Sequence, residues 1–288
     1  MGRLTKKIWR KGLKRSVKAI SPVISSVVLT GTIVALLFVT LAFANDFLTA
    51  RLAENEFAAM KQFMRNVALQ IDNVAWIIGR TQTIRFSSRY GHLDFVEAAI
   101  TYAITIKKSD GTTECIATNV IGMLVFNMPV NKYSLGNDYF ELVFPSENSF
   151  VFNGTSAPVA RVFVSEKIPM ADGNYIRVAV VPCIRMLRST INSGNTTSFR
   201  YKLYLPILKS GQLPRKSQTV TLTSQHVALS TKSDVIGFNV TISFPSSSKG
   251  FDLSFFGFDS SQFSVNFPKA SILEAYTSNV TLSLGVHP

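Results

Sequence analysis

The sequence predicts an α+β protein, a long N-terminal transmembrane helix followed by an antiparallel β-sandwich-like extracellular domain. Three observations predict it. Ile20 to Ala44 is a run of 25 residues without a charge, longer than the roughly 20 that cross a hydrocarbon core as a helix. Apolar residues then continue at helical spacing as far as Ile78. From Arg80 onward, short β-branched and aromatic stretches alternate with Ser, Asn, Pro and Gly. Residues 1–19 read as a basic leader, 20–79 as the helix with 20–44 its spanning part, and 80–288 as the β-rich domain.

The charges fix an orientation. Arg3, Lys6, Lys7, Arg10, Lys11, Lys14, Arg15 and Lys18 precede the apolar run, and no acid occurs before Asp46. That bias holds the N-terminus in the cytoplasm and sends the rest of the chain outward. The formal net charge is +13, but eight of those charges lie in the first 19 residues, leaving five for the other 269. A basic cluster abutting an apolar span is topogenic, with anionic headgroups as its partner, so no nucleic-acid partner is expected.

Three fates compete for the apolar run. A signal peptidase could cut after Ala42-Phe43-Ala44, the segment could stay as an uncut anchor, or a peptidase could cut ahead of it, after Ala19. The third is favoured, because the run exceeds the roughly 7–15 residues of a removable apolar region. Helical patterning also continues past Ala44. Ala53, Phe57, Met60, Met64, Val67, Ile71, Val74 and Ile78 recur at alternating gaps of four and three, the seam of a helix that packs on other helices. No Pro or Gly interrupts the stretch from Asn45 to Ile78, Pro22 suits a first turn, and Gly79 supplies a stop. One helix from Pro22 to Gly79 would measure about 87 Å at 1.5 Å per residue. A membrane anchor with a short coiled-coil stalk fits the same pattern.

A basic leader, Lys18-Ala19, then Ile20-Ser21-Pro22-Val23-Ile24 and an unbroken apolar helix resemble the archaeal type IV pilins. The resemblance covers roughly residues 1–79 and rests on pattern as much as identity. It implies that a prepilin peptidase cuts on the cytoplasmic side after Ala19, so that Ile20 becomes the mature N-terminus. Lys18, Ala19, Ile20, Ser21 and Pro22 would then be the cleavage segment. Bacterial relatives carry Glu at the fifth mature position, where this chain has Ile24. That departure weakens a bacterial-type docking mechanism. By resemblance the partners are further copies of the chain in a helical filament, the peptidase, the assembly machinery, and lipid before assembly. Ser25, Ser26, Thr30, Gly31, Thr32 and Ala35 are small enough to let helices approach closely.

Beyond Arg80, Tyr102–Lys107 and Glu114–Ala117 read as the arms of a hairpin around Asp110-Gly111, and Arg161–Val164 with Tyr175–Val180 repeat the device around Asp172-Gly173. Strands are also expected at Thr219–Leu222, Ile236–Ile242, Phe263–Phe267 and Val280–Leu284, and a short helix at His92–Ala99. The polar run Ser189–Ser198 and the stretch Lys209–Lys216 mark a subdomain break near 189–216, or long loops. The 22 phenylalanines, Phe251, Phe255, Phe256 and Phe258 among them, are expected mostly in the core.

Cys115 and Cys183 are the only cysteines, enough for one disulfide in an oxidising compartment or for two free thiols. Four sequons, at Asn153, Asn195, Asn239 and Asn279, are candidate N-glycosylation sites. His92, His226 and His287 are scattered, and no Cys-x-x-Cys, phosphate loop or nucleophile elbow occurs. The expectation is a non-enzyme with no cofactor and no metal. Two function classes remain: a subunit (major, minor or pseudopilin) of a pilus-like surface filament, which is favoured, and a monomeric membrane-anchored surface adhesion module.

Overall fold

A computed structural model describes residues 22–193, 196–213 and 219–285. Lys18, Ala19, Ile20 and Ser21 of the cleavage segment lie outside the described residues, as does the sequon residue Asn195. One helix, α1 (Pro22–Ala75), precedes a large sheet of eleven strands. The chain divides into two compact units, residues 1–49 and 50–288, and α1 contributes to both.

The sheet strands are β1 (Thr81–Arg85), β2 (His92–Lys108), β3 (Thr113–Pro129), β4 (Tyr139–Phe144), β5 (Val151–Asn153), β6 (Ala160–Glu166), β7 (Tyr175–Pro182), β8 (Ile184–Ser193), β9 (Thr196–Ser210), β10 (Thr219–Ser243) and β11 (Gln262–Leu284). They run in the order β4-β6-β7-β3-β2-β10-β11-β9-β8-β5, with β1 added to β10. The expected hairpins form: β2 pairs β3 and β6 pairs β7, both antiparallel. The expectation of a purely antiparallel sheet does not hold. β9 lies parallel to β11, and β5 parallel to β8, so the sheet is mixed. β9 also comes close to β2, β3 and β7, with which it shares no ladder.

Two local expectations are corrected. His92–Ala99 is the opening of β2 and not a helix. The register of β2 on β3 slips between Val96 and Ile100, and such a bulge breaks the two-residue alternation that would have identified a strand. The polar run at 189–198 is no break either, because β8 and β9 pair through it from Arg185↔Tyr204 to Ser193↔Thr196. Of Lys209–Lys216, the first two residues continue β9, and residues 214–216 lie outside the described residues.

Strands β6 and β7 are buried at nearly every position rather than at alternate ones, because they are covered on both faces. Glu141 of β4 is paired in register with Val164 and bonds Lys61 of α1, so that face of β6 looks toward the helix. Successive strand side chains alternate, and Phe163 accordingly meets Phe255 and Phe256 at 5.5 and 5.8 Å between ring centroids. Both rings belong to α2 (Leu253–Phe256), whose N-cap Asp252 accepts from the Phe255 N–H. Burial alone would raise the Asp252 carboxyl, but hydrogen bonds from Lys167, the Phe255 amide and Ser254 bring it down to about 2.

In the second unit, Ala53, Phe57, Met60, Met64, Val67, Ile71 and Val74 are all buried. The seam therefore packs on the chain's own sheet. Ile78, the last expected member, is 63 % exposed and lies past the helix end. Area burial is worth about 1.5–3 kcal/mol for each of these side chains larger than alanine. Met64 is fully buried while Gln62 is exposed. Met64→Asp should thus destabilise the sheet domain by about 3–5 kcal/mol, an unpartnered buried charge, while Gln62→Asp stays within about 0.5 kcal/mol. Chemical denaturation of the two variants in detergent measures the difference; equal midpoints would refute the burial assignment.

Candidate functional site

The feature that asks for a partner is the apolar part of α1. Every side chain from residue 23 to residue 48 is exposed, including Val27, Leu29, Leu36, Phe38 and Phe43. An exposed apolar surface of this extent marks a membrane or protein contact. α1 is the one helix among the described residues long and apolar enough to cross a membrane.

Four of its hydroxyls are turned inward on the helix itself. Ser26 donates to the Val23 carbonyl, Thr30 to Ser26, Thr32 to Val28 and Leu29, and Thr40 to Leu36, at 2.7–3.0 Å. A hydroxyl bonded back to the preceding turn leaves no unsatisfied donor in lipid. Around Gly31 nothing lies within 4 Å of where a Cβ would sit.

The lower part of the helix is strapped to the sheet domain by polar groups that sequence patterning does not reveal. Glu56 accepts from the Ser88 hydroxyl at 2.6 Å and from the amides of Arg89, Tyr90 and Gly91 at 2.9–3.2 Å. Burial alone would raise its carboxyl, but these bonds together hold it below the ordinary carboxylate range. Asp72 receives both Nη atoms of Arg185 at 2.9 Å and the Trp76 indole N–H at 2.8 Å. The Ala75 carbonyl, at the helix end, accepts from the Ser224 hydroxyl at 3.1 Å and from Ser278. The only sequence signal for these straps is an acid on the flank of a seam, and that is also the signature of a solvated residue.

The structure separates the remaining expected sites. Of the two readings left open for Cys115 and Cys183, the structure has the two free thiols. Cys115 is exposed near the start of β3, with Thr118 Oγ1 3.5 Å from its sulfur. Cys183 is buried between β7 and β8, where it donates to the Pro158 carbonyl, and burial pushes its thiol up. Of the described sequons, Asn153 is exposed at the end of edge strand β5, beside Gly154 at φ +121°. Asn239 and Asn279 sit in strands flanked by ladders on both sides. His92 and Asp94 form a pair at 3.0 Å, and no group of three His, Cys, Asp or Glu gathers among the described residues.

No protein-family model matches the chain, and no curated protein or solved structure matches it.

Two measurements bear on these groups. A maleimide applied to the folded, unreduced protein should add to Cys115 alone, and to Cys183 as well after denaturation. A protein that takes no label under either condition until reduced would carry the disulfide after all. For Glu56 the folded pKa lies below its unfolded value of about 4.3. Its stabilisation is then complete above that value and is lost as the pH falls through the folded pKa. Acid titration of the melting temperature should show a decline below about pH 4 that Glu56→Gln makes shallower; an unaltered slope would rule the strap out.

Proposed function

We propose that the chain is a structural subunit of an archaeal type IV pilus-like surface filament, which assembles through α1 after a prepilin peptidase has removed residues 1–19. The observation that carries this reading is the division of labour along one unbroken helix. Residues 53–75 bury their seam in the chain's own domain, while residues 23–48 expose an apolar surface that only lipid or other helices can cover. A plain anchor needs the span alone. Here the span continues without Pro or Gly into a helix held by Glu56, Asp72 and the Ala75 carbonyl, as an attachment under tension would require.

The remaining parts fit this reading. The leader charges hold the helix in the membrane with the N-terminus inside, and their removal frees it to leave lipid for a filament core. The sheet domain is the part displayed outside the cell. We read it as sandwich-like, and the approach of β9 to β3 and β7 without a shared ladder supports that reading.

Cells producing the chain should shed filaments that contain it, with a mature N-terminus at Ile20. Cysteines placed singly at Val27, Ile33 or Leu37 in a Cys115→Ser background should cross-link copies in the sheared filament fraction. A mature start at Asn45 would leave a secreted sheet domain. An abundant chain confined to the membrane fraction with Met1 retained would establish the monomeric anchored adhesion module.

A further inference from the structure

We infer that the exposed sheet face around Gly237 is a binding site for an acidic sugar residue. At this point β10 is irregular on both sides at once. Its ladders to β11 and to β2 each slip between Val235 and Gly237, and the preceding Asp234 has φ +59°. Bulges of this kind re-aim side chains next to functional sites. The result is a depression of about 270 Å³ with Gly237 in its floor. A Cβ on Gly237 would come within 2.7 Å of the Val265 carbonyl oxygen, which is backbone and cannot step aside. The depression therefore depends on the absence of a side chain there.

Three groups around this floor are uncommitted among the described residues: the Lys107 ammonium, the Asn266 carboxamide and the Thr113 hydroxyl. The rest of the rim is organised. Ser264 donates to Asn239 Oδ1 at 3.0 Å, and Thr105 donates to the Asn239 carbonyl at 3.3 Å. The acids of the neighbouring hairpin are engaged elsewhere, Glu114 by Lys108 and Lys232 and Asp110 by Thr112. Lys107 is thus a free charge facing a polar hollow.

The chemistry of the hollow selects the ligand. Hydroxyls and carboxamides both donate and accept, which matches the vicinal hydroxyls of a sugar ring. One ammonium supplies a point charge suited to one carboxylate. The lining holds no arginine fork, and its apolar members Phe238 and Ile106 are buried beneath the floor, so neither planar bidentate recognition nor stacking on an exposed ring is served. The volume lies just under the roughly 300–1,000 Å³ usual for drug-sized ligands, which fits a single ring. A uronic acid residue meets all three demands. The site lies within the second unit, and its occupancy does not depend on filament assembly.

The test uses the full chain in lipid nanodiscs and three probes, glucuronate, glucose and acetate, with saturation-transfer NMR and calorimetry as readouts. Glucuronate should bind with a Kd in the millimolar range, and glucose and acetate each about tenfold more weakly or worse. Lys107→Gln should reduce glucuronate to the level of glucose, and Asn266→Asp, which adds a like charge, should abolish binding. Both positions are exposed, so the melting temperature should not change. Glucuronate that fails to bind overturns the proposal. Acetate binding as tightly as glucuronate, or glucuronate binding unchanged in Lys107→Gln, overturns it equally.

Discussion

A helix that ends against a protein must give its last carbonyls partners, and the second unit depends on how α1 meets that demand. The Ala75 carbonyl is taken by hydroxyls from two adjacent strands, Ser224 of β10 and Ser278 of β11. Immediately beyond, Gly79 turns at φ +79° and donates to the Ser224 carbonyl at 2.9 Å. The Arg80 carbonyl accepts from Ser224 in return, and β1 then pairs with β10. One serine thereby ends the helix, aims the turn and starts the next strand. Further along, Asp72 holds Arg185 of β8, and Glu56 closes the Ser88–Gly91 loop ahead of β2. The buried seam supplies the energy of docking. The straps fix its register, because a carboxylate that accepts several N–H groups has few equivalent positions along a helix.

The core also carries a cation that pairs with no carboxylate among the described residues. Arg161 of β6 is fully buried. Its contacts are long hydrogen bonds of 3.4 Å to the Ser149 carbonyl and Asn148 Oδ1, and ring faces at 4.5 Å (Phe258) and 5.4 Å (Phe163). Burial, which disfavours the charged form, presses its pKa down to about 10. Asn148 in turn donates to the exposed Asp259 at 3.2 Å, so an amide relays the charge toward a surface acid. Aromatic faces replace part of the hydration that the guanidinium has lost. The phenylalanine cluster is therefore more than apolar filling, since two of its rings solvate this charge.

Much of this fold was legible in the sequence, and its illegible parts have a common cause. The seam from Ala53 to Val74, the Asp110-Gly111 hairpin and the segments Thr219–Leu222, Ile236–Ile242, Phe263–Phe267 and Val280–Leu284 of β10 and β11 obey the simple periods of helix and strand, while the bulges that join the segments of β10 do not. What failed was long-range or irregular. The bulge of β2 concealed a strand at His92–Ala99. β8 and β9 were hidden because their distal ends are built of Ser, Thr and Asn, which pair through the backbone whatever their polarity. The parallel contact of β9 with β11 joins residues some 70 positions apart, such as Tyr204 and Tyr276, and periodicity is silent about such partners. The straps were illegible for the same reason. Glu56 meets Ser88–Gly91, whereas Glu54, two residues earlier, pairs with the exposed Arg51.

The hydroxyls in the apolar part of α1 change the physics of the proposed assembly. In lipid, Ser and Thr can act as glue between helices when their donors seek partners. Here the donors of Ser26, Thr30, Thr32 and Thr40 each already have one in their own helix. Transfer from lipid to a bundle of like helices then gains little from polar pairing. Acyl chains are also about as apolar as leucine, so the hydrophobic effect does not favour the bundle either. What remains is close packing and the release of lipid, which small residues such as Gly31 permit by admitting a neighbour's backbone. On the filament reading, extraction is thus nearly balanced along the span. On the same reading the decisive change would be the loss of the eight leader charges, which would otherwise tie that end of the helix to the inner face of the membrane.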